Sequence, residues 1–395
     1  MSNKKPLIFY FLYTDWDIDQ RRFLLKEVIK TTSDWADAVI IQQPVSLFLH
    51  IFTRFRRKIL GFIIGKYKVR KSPEGAIIFT PKILFHHYFW PKNKLIAKLD
   101  IFIYRKQYNK FLSRYYPDNF IILWLFHNRL YQLTEHIKYN FLVYDYQDNY
   151  DYFSDGTWSE IDSELNKKLI KKSDFILCSA KVMYDRAIKL NKNCIYLTNG
   201  NDFKTLSGND VQRELPEIDY IDKPIIGYFG NTRSWMDFNL LTEMAQKLKN
   251  VHFLFIGLSN RDVKKEFNQL LKNENVSWIP YMEQKKAVAY LKRFKAGIIP
   301  FKINKVMEGV FPNKFFEYFA LGIPVITTAL PELEKYSDII GFSKNNEDFI
   351  NFCKASLKGE FNMYKETYIS LAKENTWEKN AIIINDLLLD KISKV

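Results

Sequence analysis

Residues 309–327 read Gly-Val-Phe-Pro-Asn-Lys-Phe-Phe-Glu-Tyr-Phe-Ala-Leu-Gly-Ile-Pro-Val-Ile-Thr, an order that could hold a diphosphate. Pro312 suits the opening of a helix, which puts Asn313 and Lys314 in its first turn. A cation there opposes the helix dipole, so it fits best where the helix N-terminus and Lys314 face one anion. Glu317 follows three residues later, on the same helical face, where a carboxylate can accept two hydroxyl hydrogens from a ribose. The competing reading is a Lys–Glu pair on the surface of a core helix. Gly322-Ile-Pro324 then stops the helix and starts a strand.

A second cation stands at the end of Ile-Ile-Gly-Tyr-Phe-Gly-Asn-Thr-Arg, residues 225–233. The run is an apolar strand closing in a loop. Gly230 would let backbone approach a ligand, Asn231 follows it, and Arg233 is placed to neutralise a phosphate. A tight turn accounts for the glycine equally well. With Gly227 and Gly230 alone, the segment is not the three-glycine fingerprint of dinucleotide binders.

Chemistry at a bound ligand can also call for a proton acceptor, usually a carboxylate or histidine. Asp145, Asp148 and Asp151 gather at the C-terminal tip of the strand expected at Phe141–Tyr144, and Asp148 is the first choice. His127, at the tip of Phe120–Phe126, is the second, against the reading of an ordinary loop histidine. Turn caps and solvated acids are the alternative for the three aspartates. His86 and His87 look like surface or acceptor contacts. Asp15-Trp16-Asp17-Ile-Asp19 contains an Asp-x-Asp pair that could hold a divalent ion, but an acid-rich helix N-terminus shows the same pattern. No metal and no cofactor is expected.

These residues need two sheets to position them. A chain of 395 residues with 47% apolar content exceeds one ordinary core and suits two domains. Strands are expected at Leu7–Tyr13, Ala38–Ile41, Ala76–Thr80, Phe120–Phe126, Phe141–Tyr144, Phe175–Ser179 and Cys194–Leu197, with helices at Ile18–Ile29 and Glu160–Lys172. Alternation breaks after Asn201 and restarts at Ile225–Phe229, Val251–Ile256, Val276–Ile279, Gly297–Pro300 and Pro324–Thr327. The intervening helices are expected at Asp237–Lys249, Arg261–Lys272, Gln284–Phe294 and Asn313–Leu321, with a terminal one at Asn375–Lys391. Alternating strands and helices make parallel sheets, whose sites lie at the C-terminal strand tips. The expected division is a first domain over 1–205, a linker over 206–223, a second domain over 224–375, and a last helix over 376–395.

The charge is uneven. Of the net +15, nearly all falls between Ile51 and Tyr115, which hold 16 Lys and Arg against Glu74 and Asp100. Large apolar residues interleave with these cations, which suits an anionic membrane surface better than nucleic acid. Cys178, Cys194 and Cys353 have no metal-ligand spacing, and reduced thiols of this kind fit the cytosol. Neither a secretory signal nor a bilayer-length apolar run is visible.

The block from Pro312 to Val325 resembles the donor-binding signature of GT-B glycosyltransferases, above all those of teichuronic-acid and xanthan-like exopolysaccharide synthesis. Their version is Pro-x-Lys-x-x-Glu-Tyr-x-Ala-x-Gly-x-Pro-Val. Pro312, Lys314, Glu317, Tyr318, Ala320, Gly322, Pro324 and Val325 match it in order. The likeness runs from Ile225 to Leu333. It is weaker in Asp15-Trp16 with Gln20-Arg21, in Asn199-Gly200-Asn201-Asp202, and in Thr376-Trp377-Glu378. It implies an α/β, GT-B fold: two Rossmann-like parallel-sheet domains facing a cleft, with the C-terminal helix crossing back. It implies that Arg233 and Lys314 hold a donor pyrophosphate and Glu317 its ribose. Asp15, Trp16, Asn199 and Asp202 become acceptor-side or supporting positions.

The same resemblance implies a nucleotide-sugar donor and a lipid-linked or oligosaccharide acceptor in bacterial cell-surface polysaccharide synthesis. The expected place is the cytoplasm, peripheral at the inner membrane face, with residues 51–115 on anionic lipid and no nucleic-acid partner. Many retaining members carry a second glutamate eight positions before the ribose ligand. Here that position is Gly309, with Glu308 beside it, so retention and inversion both stay open. The other readings are a nucleotide-cofactor dehydrogenase or epimerase, and a non-catalytic module for anionic surfaces.

Overall fold

A computed structural model describes residues 4–48, 69–87, 90–153, 155–208 and 214–394. The chain forms two compact units. The first holds Met1–Phe153, Trp158–Leu197 and Asn380–Val395; the second holds Ser154–Thr157 and Thr198–Lys379.

The first unit is built on strands β1 (Leu7–Phe11), β2 (Asp37–Ile41), β3 (Val45–Ser46), β4 (Arg70–Lys71), β5 (Ile77–Phe79), β6 (Lys82–Ile83), β7 (Ile121–Leu125), β8 (Phe141–Tyr146), β9 (Phe175–Cys178) and β10 (Cys194–Tyr196). Eight of these form one sheet in the order β10-β9-β8-β7-β1-β2-β5-β4; β3 and β6 pair separately. Among the described residues only β4 runs antiparallel to its neighbour in the large sheet. A parallel sheet is covered on both faces, so its strands read as unbroken apolar runs, and every residue of β1 and β7 is buried. Winding outward in both directions from β1 and β7 creates a topological switch point between them.

Among the described residues this sheet is accompanied by helices α1 (Arg22–Thr32), α2 (Lys94–Tyr115), α3 (Glu160–Lys172) and α4 (Lys181–Ala187). α3 lies where the sequence expects it, because Ser159 caps Asp162 N–H and the first turn carries acids while the last carries lysines. α1 starts at Arg22 instead of Ile18, since the Asp15 carbonyl turns the chain by accepting Ile18 and Asp19 N–H first. The 22-residue α2 has no counterpart in the sequence reading, whose attention there went to charge. It buries Tyr104, Tyr108 and Phe111 against β1, with the Phe9 and Tyr108 rings 5.0 Å apart.

The second unit contains β11 (Ile225–Phe229), β12 (His252–Ile256), β13 (Val276–Ile279), β14 (Phe294–Ile299), β15 (Val325–Thr328) and β16 (Gly341–Ser343). They form one parallel sheet ordered β13-β12-β11-β14-β15-β16, the doubly wound arrangement with its switch point between β11 and β14. Its helices are α5 (Phe203–Leu206), α6 (Phe238–Lys247), α7 (Lys264–Leu270), α8 (Gln284–Leu291), α9 (Asn313–Ala320), α10 (Asn346–Leu357) and α11 (Lys365–Glu374). The segment expected as a linker is instead part of this unit. Leu206, Leu215 and Ile218 are buried in its core, and the change of unit falls between Leu197 and Thr198. Polar and Pro-rich composition hid those three anchors.

The last helix, α12 (Trp377–Ile392), begins in the second unit, and its residues from Asn380 belong to the first. There Trp35 Nε1 donates to Asn385 Oδ1 at 2.8 Å. Of the basic stretch 51–115, residues 51–68 and 88–89, with the expected membrane-facing segment from Arg54 to Phe62, lie outside the described residues.

Candidate active site

In the second unit, β11 delivers Phe229 and then Gly230, whose φ of +143° few side-chain-bearing residues adopt. A Cβ at Gly230 would lie 2.2 Å from Lys314 Cε and 2.5 Å from Nζ. The lysine ammonium therefore rests on the bare α-carbon of the loop, at the C-terminal tips beside the switch point. Its Nζ is also 5.3 Å from the Tyr228 ring centroid. Lys314 stands in the first turn of α9, whose N-cap position is Pro312 and which receives no side-chain cap. The first-turn N–H groups of α9 and the ammonium thus supply positive potential in one place. Asn313 Oδ1 is buried there without a hydrogen-bond partner.

Glu317 lies on the same helix face and accepts a hydrogen bond from Gln284 Nε2 at 3.1 Å. Burial raises its proton affinity, Lys314 opposes that, and Asp202 adds to it. Arg233 packs over Trp235 at 5.4 Å, and its Nε lies 2.6 Å from the Asn260 side chain when that amide turns its oxygen inward. Tyr318 is a strut. Its hydroxyl accepts Phe229 N–H at 2.9 Å, and its ring fills the space a Cβ at Gly297 would need.

Asn199 and Asp202, read as acceptor-side or supporting, both lie in this second unit. Asn199 Nδ2 donates to the Phe311 carbonyl at 2.9 Å, holding the chain just before Pro312. Asp202 caps α5, accepting Thr205 N–H at 3.0 Å and its hydroxyl at 2.6 Å. Glu308 sits in a short turn and pairs with Lys305 at 3.0 Å. Asn231 offers its carbonyl to the Tyr228 hydroxyl at 3.0 Å, which shapes the loop.

In the first unit, the switch point brings Tyr13, just after β1, onto His127, just after β7. Their rings stack at 4.0 Å. His87 lies 4.2 Å from Tyr13, and Tyr150 lies 4.4 Å from His127. Asp100, on α2, accepts N–H groups from Leu84 (2.8 Å), Phe85 (3.0 Å) and Trp90 Nε1 (3.1 Å), which fixes the loop carrying His86 and His87. His127 Nδ1 accepts Arg129 N–H at 3.2 Å. Burial, then the Arg129 charge, push its imidazole down to about 3. A ring so reluctant to take a proton is a poor general base near neutral pH.

The three aspartates divide. Asp145 is buried and bound in bidentate fashion by Arg21, at 2.9 and 2.8 Å. Asp151 is buried with Arg186 and Asn166. Asp148 alone is exposed, at the tip of β8. Crowding by the surrounding protein raises its carboxyl, with Asp19 and Asp145 adding and Arg21 opposing. Water contact at the exposed side chain limits that rise. Among the acids after β1, Asp17 pairs with Arg70 at 2.6 Å, while Asp19 accepts Arg21 N–H at 2.8 Å and bonds Thr14. Asp15 offers its carbonyl to the turn, and Trp16 is buried with its N–H on Gln42.

Residues 223–354 match the family model described as Glycosyl transferases group 1. The structure is similar to sucrose-phosphate synthase from Thermosynechococcus elongatus, with a TM-score of 0.74 and 11% identity, over 99% of this chain and 100% of that one. It is similar also to Anabaena HepE crystallised with UDP-glucose, at a TM-score of 0.66 and 11% identity, over 98% and 100%.

The fold is GT-B.

A Bacillus subtilis (strain 168) protein named for a glycosyltransferase role in teichuronic acid biosynthesis, TuaH, is 26% identical over 221 residues. That match covers 53% of this chain, which spans about half of the relative's length, 55%. Within the GT-B frame the structure sets the end of Lys314 against Gly230, with Glu317 further along the same helix. Asn260 and Tyr318 in the second unit, and Tyr13 and Asp100 in the first, are residues that sequence reasoning passed over or left without a role. Only Tyr318 carried a signal, as a fixed position of the signature block. The others make contacts from residues distant in the chain.

Proposed function

We propose that this chain is a glycosyltransferase that moves a hexosyl group from a nucleotide-sugar donor to a saccharide acceptor. The observation that carries the reading is the Lys314 ammonium lying on Gly230 at the β11/β14 switch point, with Glu317 one helical turn away. In the reaction an acceptor oxygen bonds the anomeric carbon, the bond from that carbon to the diphosphate breaks, and a nucleoside diphosphate leaves. Lys314, Arg233 and the N-terminus of α9 are assigned to the charge that develops on the leaving diphosphate. Glu317 is assigned to the donor ribose. On the first unit, exposed Asp148 is the carboxylate assigned to the acceptor proton.

Charge neutralisation by these protein cations requires no bound metal, so activity should survive chelation. The UDP-glucose complex of HepE supports a UDP-linked donor, and the TuaH likeness supports a cell-surface polysaccharide acceptor. A lipid-linked acceptor met at the inner membrane face is the form that suits the basic first unit. Thermal shifts against UDP-, GDP- and dTDP-sugars test the donor, since a ligand that binds only the folded state raises its stability. A shift with one nucleotide class is expected, and no shift with any of them would overturn the reading.

A further inference from the structure

Helix α2 has a buried side and an exposed side, and both carry apolar residues. Ala97, Ile101, Tyr104, Tyr108, Phe111 and Leu112 face the core. On the other side Leu95 is 78% exposed, Phe102 53% and Leu99 44%. Spacings of four and then three residues put those three on one stripe over two turns. Lys94, Lys98, Arg105, Lys106 and Lys110 surround the stripe, all exposed. The one acid of the helix, Asp100, points the other way, buried, into the N–H groups of Leu84 and Phe85. Beside that anchored loop stands another exposed apolar pair, Leu47 and Phe48, with the Phe48 ring stacked on Phe85 at 4.8 Å. No helix among the described residues is long and apolar enough to cross a membrane.

We infer that the outer face of α2 is a docking surface for an anionic lipid bilayer. An apolar stripe enclosed by cations on a helix lying flat matches an interface of acyl chains below and negative headgroups around. A protein partner would ask for acids placed opposite each lysine, whereas a headgroup layer supplies negative charge all along the stripe. The inference deepens the transferase reading by naming the surface through which a lipid-borne acceptor is met.

The test uses the full chain and vesicles of phosphatidylcholine, alone or with about a third phosphatidylglycerol, in co-sedimentation. Wild type should bind the anionic vesicles, weaken as salt rises to about 0.5 M, and ignore the neutral ones. Leu99→Ser/Phe102→Ser should bind about tenfold more weakly or worse, by loss of apolar insertion. Lys98→Glu/Arg105→Glu should lose the preference for phosphatidylglycerol. All four positions are exposed, so the fold is retained, with circular dichroism as the check. Thermal shift by nucleotide sugars should be equal in all variants; vesicle binding without any such shift leaves this surface standing and removes the transferase reading. Unaltered vesicle binding by both variants, no binding by wild type, or a dimer that the serine variant dissolves would overturn the proposal.

Discussion

Adding one methyl group at Gly230 separates a donor site from an ordinary turn. In Gly230→Ala the new Cβ would lie 2.2 Å from Lys314 Cε and 2.5 Å from Nζ, so one of them must move. The lysine end is flexible and the backbone is tied to Ile256 O through Gly230 N–H at 2.7 Å, so the ammonium yields. Loss of a charge-assisted contact to a diphosphate is worth about 2–3 kcal/mol, which is about 30- to 150-fold in kcat/KM. Holding alanine at a φ of +143° costs about 1–3 kcal/mol of stability as well. Lys314→Ala should lose the same activity without that strain, giving up only a cation–π contact of about 0.5–1 kcal/mol.

Because both changes remove one interaction, the double variant should be scarcely worse than either single one. Steady-state kinetics with the donor found by thermal shift, beside melting curves for all four proteins, supply the cycle. Additive losses, or full donor affinity in Gly230→Ala, would refute the placement of Lys314 on the diphosphate.

Glu317→Gln should raise the donor KM with a smaller change in kcat, because a ribose contact is made alike in ground and transition states. The same variant should be as stable as wild type or more so at neutral pH. A raised carboxyl makes ionisation a burden on the fold that vanishes below the unfolded value near ~4.3, so melting curves across pH should converge in acid. His127, held far below the ordinary histidine range, takes up its proton on unfolding, so stability falls as pH drops below ~6.5. His127→Asn keeps a capping side chain and should flatten that acid loss, read by denaturant melts between pH 7 and about 4. Asp148→Asn should lower kcat by about a hundredfold or more while leaving donor binding alone, and an unchanged rate would return the base to another group.

How much of this was legible follows from what each residue contacts. The strands of both sheets stand within a few residues of their expected places, since buried parallel strands are written as apolar runs such as Leu7–Phe11 and Phe253–Ile256. Pieces of two or three residues such as β3, β6 and β16 carry no period and were missed. α2 was missed because apolar residues on both of its sides erase the one-sided pattern of a core helix. Lys314 and Glu317 were readable because their partners lie in one short block. Asp145 and Asp148 are alike in sequence; only Arg21, 124 residues away, makes one a buried ion pair and leaves the other at the surface. His127 looked available for proton transfer until Tyr13 and Arg129 were placed beside it.

A crystal structure of the full chain with UDP bound decides the donor assignment most directly. The diphosphate oxygens should lie about 3 Å from Lys314 Nζ and the Arg233 guanidinium, with the ribose hydroxyls on the Glu317 carboxylate. UDP bound elsewhere, or at the β11/β14 switch point without contact to Lys314, would contradict it.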